Sequence, residues 1–413
     1  MHRRTASLAL ALLFLAPAAL PAADTADDSF FRKGDRVVWL GDSITEQYQY
    51  STYMELYLTT RFPAWGLSFL NAGIGGDTAT GGARRFQAHV LDERPTVVTI
   101  DFGMNDGGYG GFNPNSAANY AKQTEAMLQA CKKAGVRVAL ISPNAVEIRS
   151  RPNLAIYLGT QQRFYAPLKE LAAKYQVPFV DQYAITRRVL EKIAEDKARV
   201  RSFPDGVHTS PAGGLLMAHT ILVGLHAPAV VSDLEIDAAS RDAKTTGCKV
   251  DKLGGDASGL SFERTDEALP LPVLKEWRPL LPYVGQLKDL NWYGLKVKGL
   301  NAGKYALTID GKPAGTFTDK ELVAGVNLGN REGGPLFEQG QKVFQAIQKK
   351  NEIVRQRFRG VVMFQAPAWL ADVAQERKPA ELKKRNEQID ARQAEVYKLA
   401  QPVPHRFELK PAE

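Results

Sequence analysis

Four short segments contain residue types that could act together on an ester bond. Ser43 lies in Gly41-Asp42-Ser43, directly after the apolar run 37–40. A serine hydroxyl needs a base to remove its proton, and that base needs an orienting partner. His208 and Asp205 could fill these roles, because they are three positions apart in a turn that contains proline and glycine. The alternatives are a helix N-cap at Ser43 and a surface turn with an incidental histidine.

Two other segments could supply hydrogen-bond donors to a tetrahedral oxyanion. The glycine-rich sequence Asn71-Ala-Gly-Ile-Gly-Gly-Asp77 allows backbone amides to approach a substrate closely. Phe102-Gly-Met-Asn-Asp106 offers an amide side chain. A flexible loop explains the first segment equally well, and an Asx turn explains the second.

The elements between these segments predict an α/β fold. Short apolar runs alternate with amphipathic helical stretches between Arg36 and about Pro228, which predicts a parallel sheet covered on both faces. Three of the four segments directly follow a predicted strand and therefore lie at the carboxyl edge of the sheet, where open α/β folds bind ligands. The predicted strands are 37–40, 67–70, 97–100, 136–141 and 177–180.

In combination and order, the motifs Gly-Asp-Ser, Asn-x-Gly-x-x-Gly, Gly-x-Asn-Asp and Asp-x-x-His resemble those of the SGNH hydrolases, the GDSL-type esterases. The resemblance covers about Arg36 to Leu225, and Ile44 replaces the usual leucine after the serine. It implies a three-layer α/β/α sandwich with a central parallel sheet, and acyl transfer without a metal or cofactor. The implied roles are nucleophile for Ser43, general base for His208, orienting acid for Asp205, and oxyanion-hole donors for Ser43, Gly73 and Asn105.

The N-terminus has the pattern of a signal peptide over residues 1–23. A basic start precedes an apolar run from Ala6 to Ala19, and small residues lead from that run to the acidic pair Asp27-Asp28. The run is too short to cross a bilayer, and no later stretch reaches about 18 apolar residues. We therefore expect a secreted or periplasmic protein without a membrane-spanning segment. A buried N-terminal helix is the alternative.

The remaining chain divides by pattern into three parts. Residues 28–229 contain the hydrolase motifs, 230–330 are β-rich, and 331–413 are helical. In the β-rich part, Asp310-Gly311 after an apolar run predicts a β-hairpin. In the helical part, two long helices, the second starting at Pro379, predict a helical hairpin. Polar residues in both apolar stripes favour packing on the same protein over a dimer zipper, and the oligomeric state stays open.

Composition excludes several classes of protein. The 413 residues are 44% hydrophobic and 24% charged, which excludes a disordered chain, a collagen and a multi-span membrane protein. Two cysteines exclude a disulfide framework, and six histidines without ligand spacing argue against a metal site. The net charge is +8, but basic residues in the helical part alternate with acidic ones, so nucleic acid is not expected as a partner.

The substrate is the least constrained prediction. Export, the open loop 107–112 and the aromatic residues Tyr48 and Trp65 favour a shallow polar site, and hence a carbohydrate O-acetylesterase acting on a small-molecule or polysaccharide ester. The first alternative is a lysophospholipase or general short-chain carboxylesterase, which needs an apolar acyl groove. The second is a non-catalytic glycan-binding protein on a hydrolase fold.

Overall fold

A parallel five-stranded sheet organises the first half of the chain. In the computed structural model, which describes residues 29–412, the strand order is β2-β1-β3-β4-β5. All five residues of β3 are buried, as expected for a strand covered on both faces. The predicted signal peptide, residues 1–23, lies outside the described residues. The strands are β1 (Arg36–Gly41), β2 (Ser68–Gly73), β3 (Val97–Asp101), β4 (Arg137–Ile141) and β5 (Phe179–Val180).

Helices cover both faces of this sheet. The helices are α1 (Ser43–Glu46), α2 (Gln49–Arg61), α3 (Ala79–His89), α4 (Pro114–Ala134), α5 (Ala155–Tyr175), α6 (Gln182–Glu195) and α7 (Pro211–Gly224). Helix α2 packs against α7, while α4 packs against both α3 and α5. The predicted three-layer α/β/α sandwich with a central parallel sheet is therefore confirmed.

Two further sheets follow. Their strands are β6 (Val230–Asp237), β7 (Ala243–Thr246), β8 (Cys248–Asp256), β9 (Gly259–Asp266), β10 (Trp292–Lys298), β11 (Lys304–Ile309), β12 (Lys312–Thr318), β13 (Val326–Asn327) and β14 (His405–Pro411). One sheet has the order β13-β10-β6-β7 and the other β12-β11-β14-β9-β8. The predicted hairpin is present as β11 and β12, joined at Asp310-Gly311, both of which have positive φ.

The C-terminal helices form a hairpin that packs on the hydrolase half. Helices α8 (Gln286–Leu290), α9 (Asp319–Ala324), α10 (Pro335–Arg357) and α11 (Ala371–Ala400) complete the fold. Helix α10 packs against both α11 and α2. Among residues 29–412, no helix is long and apolar enough to cross a membrane. Cys131 and Cys248 are both buried and free.

Two features of the C-terminal region differ from the sequence prediction. Helix α11 begins at Ala371, eight residues before Pro379, so this proline lies inside the helix. Pro379 has no N–H to donate to the carbonyl of Gln375. Gln375 is exposed, so its carbonyl can bind water instead. The region 331–413 is also not wholly helical. Its last strand, β14, lies between β9 and β11 and completes their sheet.

Candidate active site

Ser43 starts helix α1 directly after strand β1. The Asp42 side chain caps this helix, accepting a hydrogen bond from the Ile44 amide at 2.9 Å. A Cβ atom at Gly41 would lie 2.7 Å from the Asp101 carbonyl oxygen, so only glycine fits between the strand end and its neighbour. The amide of Ser43 donates to no acceptor within residues 29–412. The turn therefore presents a hydroxyl and a free amide at the carboxyl edge of the sheet.

The three residues of the expected triad lie in hydrogen-bond contact. His208 Nε2 is 2.8 Å from Ser43 Oγ, although the two residues are 165 positions apart. His208 Nδ1 is 2.7 Å from Asp205 Oδ2. The side chains of His208 and Asp205 are 40% and 56% exposed, so the site is open and shallow.

Asp205 is held in its orientation by local backbone. Its Oδ1 accepts from the amides of Val207 and His208 at 2.9 and 2.7 Å. Partial burial by itself would raise the pKa of Asp205, but hydrogen bonds from the His208 ring and from these two amides outweigh it and lower that pKa. Asp205 is therefore an ionised acceptor that can fix the tautomer and direction of the imidazole.

The structure does not leave Gly73 available as an oxyanion donor. Its amide donates to Asn71 Oδ1 at 2.9 Å inside the buried end of β2. A Cβ atom there would lie 2.3 Å from the Glu46 amide nitrogen, so this glycine permits close packing of β2 on α1. The prediction for Gly73 is corrected: it has a structural role, shared with Asn71, whose amide group also binds the Thr45 carbonyl.

Gly76, the last glycine of the same motif, has the free amide that Gly73 lacks. The Ile74 amide donates to Gly41 and the Gly75 amide to Glu46, so both are occupied. Gly76 has φ +73° in a turn closed by a hydrogen bond from the Asp77 amide to the Ile74 carbonyl. It is exposed, and its amide donates to no acceptor in the described part of the chain.

Asn105 lies in the same group of residues, and its side chain is held at both ends. Its Nδ2 donates to the Asp77 carbonyl at 2.8 Å and makes a longer contact of 3.3 Å with Asp42 Oδ2. The Tyr109 hydroxyl donates to Asn105 Oδ1 at 2.9 Å. Tyr109 thereby fixes the orientation of the Asn105 side chain, with Nδ2 directed at Asp42 and the Asp77 carbonyl.

Three carboxyl groups around the turn of Ser43 have raised pKa values. Burial raises the pKa of Asp42 to about 7, with repulsion from Asp106 adding to the rise and the Ile44 amide opposing it. Burial also raises the pKa of Asp106 to about 6 and that of Asp101 well above its ordinary value. Within residues 29–412, no group of three or more His, Cys, Asp or Glu side chains is arranged to hold a metal ion.

A side chain of the C-terminal region also reaches this site. Glu46, three residues after Ser43, accepts from the Gly75 amide through Oε2. Its other oxygen, Oε1, accepts from the guanidinium of Arg359, two residues after the end of α10. The loop that contains Gly76 is thus tied through one carboxylate to the C-terminal helices.

Comparison with known proteins agrees with the geometry. Residues 39–214 match the model of the GDSL-like lipase/acylhydrolase family. The match contains Ser43, Asp205 and His208 and supports an SGNH (GDSL-type) hydrolase domain over this part of the chain. The protein is accordingly an ester-hydrolysing enzyme, which removes the non-catalytic alternative.

Similarity to individual proteins extends this assignment. The structure of a gut microbial diltiazem-metabolizing enzyme superposes on the hydrolase with a TM-score of 0.80 and 25% identity, covering 93% of this chain and 99% of that one. Esterase TesA of Pseudomonas aeruginosa is 31% identical over 111 residues, 27% of this chain and 51% of its own. An uncharacterized Bacillus subtilis lipoprotein, YqeF, is 26% identical over 178 residues, 38% of this chain and 73% of its own. The first of these shares the β-rich and helical C-terminal regions as well.

Sequence reasoning missed two residues, Gly76 and Tyr109, and one contact at the site of this hydrolase. Gly76 had a signal, because it is the glycine of the motif that lies beyond the strand, where a turn needs positive φ. Tyr109 had only its position in a glycine-rich loop after Asn105. The contact between Glu46 and Arg359 had no sequence signal, since 313 positions separate them.

Proposed function

We propose that this protein is an exported serine esterase that acts through Ser43, His208 and Asp205. The observation that carries the proposal is the continuous hydrogen-bond chain from Ser43 Oγ through both ring nitrogens of His208 to Asp205 Oδ2, with distances of 2.8 and 2.7 Å. This is the geometry that a serine nucleophile, a general base and an orienting carboxylate require.

The reaction proceeds in two acyl transfers. Ser43 Oγ attacks the ester carbonyl carbon while His208 Nε2 takes the hydroxyl proton. The tetrahedral intermediate collapses, the bond to the alcohol oxygen breaks, and His208 returns the proton to the departing alcohol. Water then attacks the acyl-serine with the same imidazole as base, which releases the acid and restores Ser43.

In this mechanism the oxyanion receives hydrogen bonds from the amides of Ser43 and Gly76 and from Asn105 Nδ2. Gly76 replaces the expected Gly73 because its amide has no other acceptor in the described part of the chain, whereas Gly73 donates to Asn71. The contact of 3.3 Å between Asn105 Nδ2 and Asp42 is weak enough to be exchanged for a substrate oxygen. Removal of one such donor typically lowers kcat by about 10²–10³.

The proposed substrate is an acetylated carbohydrate outside the cytoplasm. The exposed His208 and Asp205 leave room for a bulky polar alcohol beside the base. Export rests on the signal-peptide pattern of residues 1–23, and detection of the processed protein outside the cytoplasm tests it.

An esterase for apolar esters is the second candidate, and one observation favours it. A cleft of about 510 Å³ between Gly360 and Glu381 is lined largely by apolar side chains, including the half-exposed Phe364. This is the type of groove that a lysophospholipase or short-chain carboxylesterase requires. The structurally similar enzyme named above is a diltiazem-metabolizing enzyme.

Two measurements test the proposal. Hydrolysis of 4-nitrophenyl acetate by the mature protein should disappear in Ser43→Ala, and equal rates in the two proteins would remove Ser43 as nucleophile. Acetate release from acetylated xylan should exceed fatty acid release from a lysophospholipid. The opposite order would favour the apolar candidate.

A further inference from the structure

A second cleft, lined in part by residues three positions after Ser43 and His208, lies between the hydrolase half and the C-terminal helices. It has a volume of about 430 Å³, within the range of small-molecule sites. One wall is formed by residues 46–53, which follow Ser43, and by Pro211, which follows His208. The other wall is formed by residues 344–355 of α10. The α10 wall lies outside the segment that matches the hydrolase family.

One residue of the cleft, Gln47, is hydrogen-bonded to the residue that follows His208. Gln47 Oε1 accepts from the amide and the hydroxyl of Thr209, both at 3.0 Å, and Thr209 directly follows His208. Since His208 returns its proton to the departing alcohol, the alcohol leaves on the side of His208. The cleft therefore adjoins the alcohol side of the ester.

The lining of this cleft has the chemistry that binds a polyhydroxylated ligand. Gln49 and Gln348 carry amides, which both donate to and accept from hydroxyl groups, and Glu352 adds a carboxylate acceptor. Tyr53 and Phe344 contribute rings whose centroids are 6.1 Å apart. Such rings can pack on the C–H face of a pyranose while the polar groups bind its hydroxyls.

Two buried polar atoms of residues that line the cleft lack partners. Tyr48 Oη and Gln49 Oε1 are buried and form no hydrogen bond within residues 29–412. Buried polar atoms are nearly always hydrogen-bonded, so an unpartnered donor and an unpartnered acceptor in two adjacent residues require an explanation. Tyr48 also has φ +59°, a strained conformation for a residue with a side chain.

We infer that this cleft is the subsite for the saccharide part of an acetylated carbohydrate, with α10 supplying one wall. The inference rests on the proposed function and deepens it. The C-terminal helices thereby set specificity for the alcohol, while the triad and the oxyanion donors act on the ester bond itself.

Gln348 is the residue to change, because it is exposed, lines the cleft and lies outside the catalytic group. Gln348→Ala removes its hydrogen bonds, and Gln348→Trp obstructs the space. The matched control is Gln345→Ala, a glutamine of the same helix that does not line the cleft. Each variant is assayed for acetate release from acetylated xylo-oligosaccharides and for hydrolysis of 4-nitrophenyl acetate. Binding of unacetylated xylotetraose is measured by calorimetry.

For Gln348→Ala we expect KM on the oligosaccharide to rise about two- to tenfold, as loss of one or two hydrogen bonds implies. Gln348→Trp should raise it more than tenfold and abolish xylotetraose binding. Both variants should hydrolyse 4-nitrophenyl acetate within about twofold of wild type, and Gln345→Ala should match wild type throughout.

The outcomes separate the two proposals. If wild type deacetylates the oligosaccharide and the Gln348 variants keep its KM, the subsite is refuted while the proposed function stands. An equal loss on both substrates also refutes the subsite. If wild type hydrolyses 4-nitrophenyl acetate but no acetylated saccharide, the proposed substrate class is refuted, and the subsite with it.

Discussion

In the proposed oxyanion hole, the orientation of one amide group decides whether Asn105 presents a donor or an acceptor. Tyr109 donates to Asn105 Oδ1 at 2.9 Å, and the opposite end then faces Asp42 and the Asp77 carbonyl. Tyr109 itself has φ +58° and its ring packs against Tyr157. We interpret it as a positioning residue that acts through Asn105.

For Tyr109→Phe we expect kcat on 4-nitrophenyl acetate to fall about two- to tenfold, because the hydroxyl that orients Asn105 is lost. KM should change little, since the effect falls on the transition state. Steady-state kinetics measure this split. Tyr175→Phe is the control, because its hydroxyl binds Glu125 and no active-site residue. A rise in KM at constant kcat would contradict the positioning role.

Asp42 links the site to the pH dependence of folding. Because burial raises the pKa of Asp42 from 3.8 to about 7, the folded state holds its proton between these values while the unfolded state releases it. The free energy of unfolding therefore decreases as pH rises from about 4 to 7, by up to about 4 kcal/mol for this group, and is level above pH 7.

As pH rises from 4.5 to 7.5, we expect the free energy of unfolding to decrease less in Asp42→Asn than in wild type. The introduced amide side chain does not ionise. Urea unfolding at both pH values measures the difference, and Asp390→Asn, which changes an exposed carboxylate on α11, should keep the wild-type slope. Parallel pH profiles for wild type and the position 42 variant would contradict the raised pKa.

The sequence predicted which types of residue form the site better than it predicted the role of each residue. Ser43, His208 and Asp205 were predicted from their chemistry and the motif order, and they lie in contact. The choice of Gly73 over Gly76 failed because the motif contains both, and the structure was needed to show that the Gly73 amide is already occupied. Gly73 ends a buried strand, whereas Gly76 lies in the turn beyond it.

At the scale of elements, a contact from the C-terminal region reaches the carboxyl edge of the sheet through Glu46. Glu46 accepts from the Gly75 amide and from Arg359, and so connects the loop of Gly76 to the segment that follows α10. Arg359 is 38% exposed and Glu46 26% exposed, so solvent weakens the pair. The hydrogen bond to Gly75 is therefore the stronger support of the loop.

We expect Glu46→Ala to lower kcat/KM on 4-nitrophenyl acetate about tenfold, because the loop loses its acceptor for Gly75. Arg359→Ala should lower it only about two- to threefold, since Glu46 still binds that amide. Esterase kinetics measure both changes. Arg392→Ala is the control, because Arg392 pairs with Glu395 on its own helix, α11, away from the site. Equal effects of the Glu46 and Arg359 variants would contradict this ranking.

Prediction of elements succeeded where the pattern is long and local. Strands β1 and β3 were predicted within about one residue at each end, because buried parallel strands are continuous apolar runs. Strand β14 was missed. It follows Pro402 and Pro404, it has few apolar residues, and its partners β9 and β11 lie about 100 residues or more earlier in the chain.

At the scale of the whole molecule, buried polar residues join α10 to the hydrolase half. Lys350 forms an ion pair with Glu55 of α2, and both side chains are within 1% of complete burial. Asn351 donates to Glu55 and to Thr52, both at 3.1 Å. In the sequence, Asn351 interrupts an apolar stripe and suggests a weak helix seam. Its partners lie almost 300 positions away, so the sequence alone did not reveal that this polar residue is a specific contact.

The effect of the buried pair on the free energy of unfolding can be tested. Burial raises the pKa of Glu55 and lowers the pKa of Lys350, since both charged forms lose hydration, and their mutual attraction opposes both changes. Lys350→Met leaves a carboxylate without its cation, so we expect a loss of about 3–5 kcal/mol in the free energy of unfolding. The double variant with Glu55→Gln removes both charges and should recover most of that loss.

Urea unfolding of wild type, both single variants and the double variant forms a complete cycle. The exposed neighbour gives the control: Lys349→Met should stay within about 0.5 kcal/mol of wild type. Additive losses in the cycle would show that the two charges do not depend on each other. Strong coupling would instead show that Lys350 and Glu55 depend on one another where α10, a wall of the proposed subsite, meets α2.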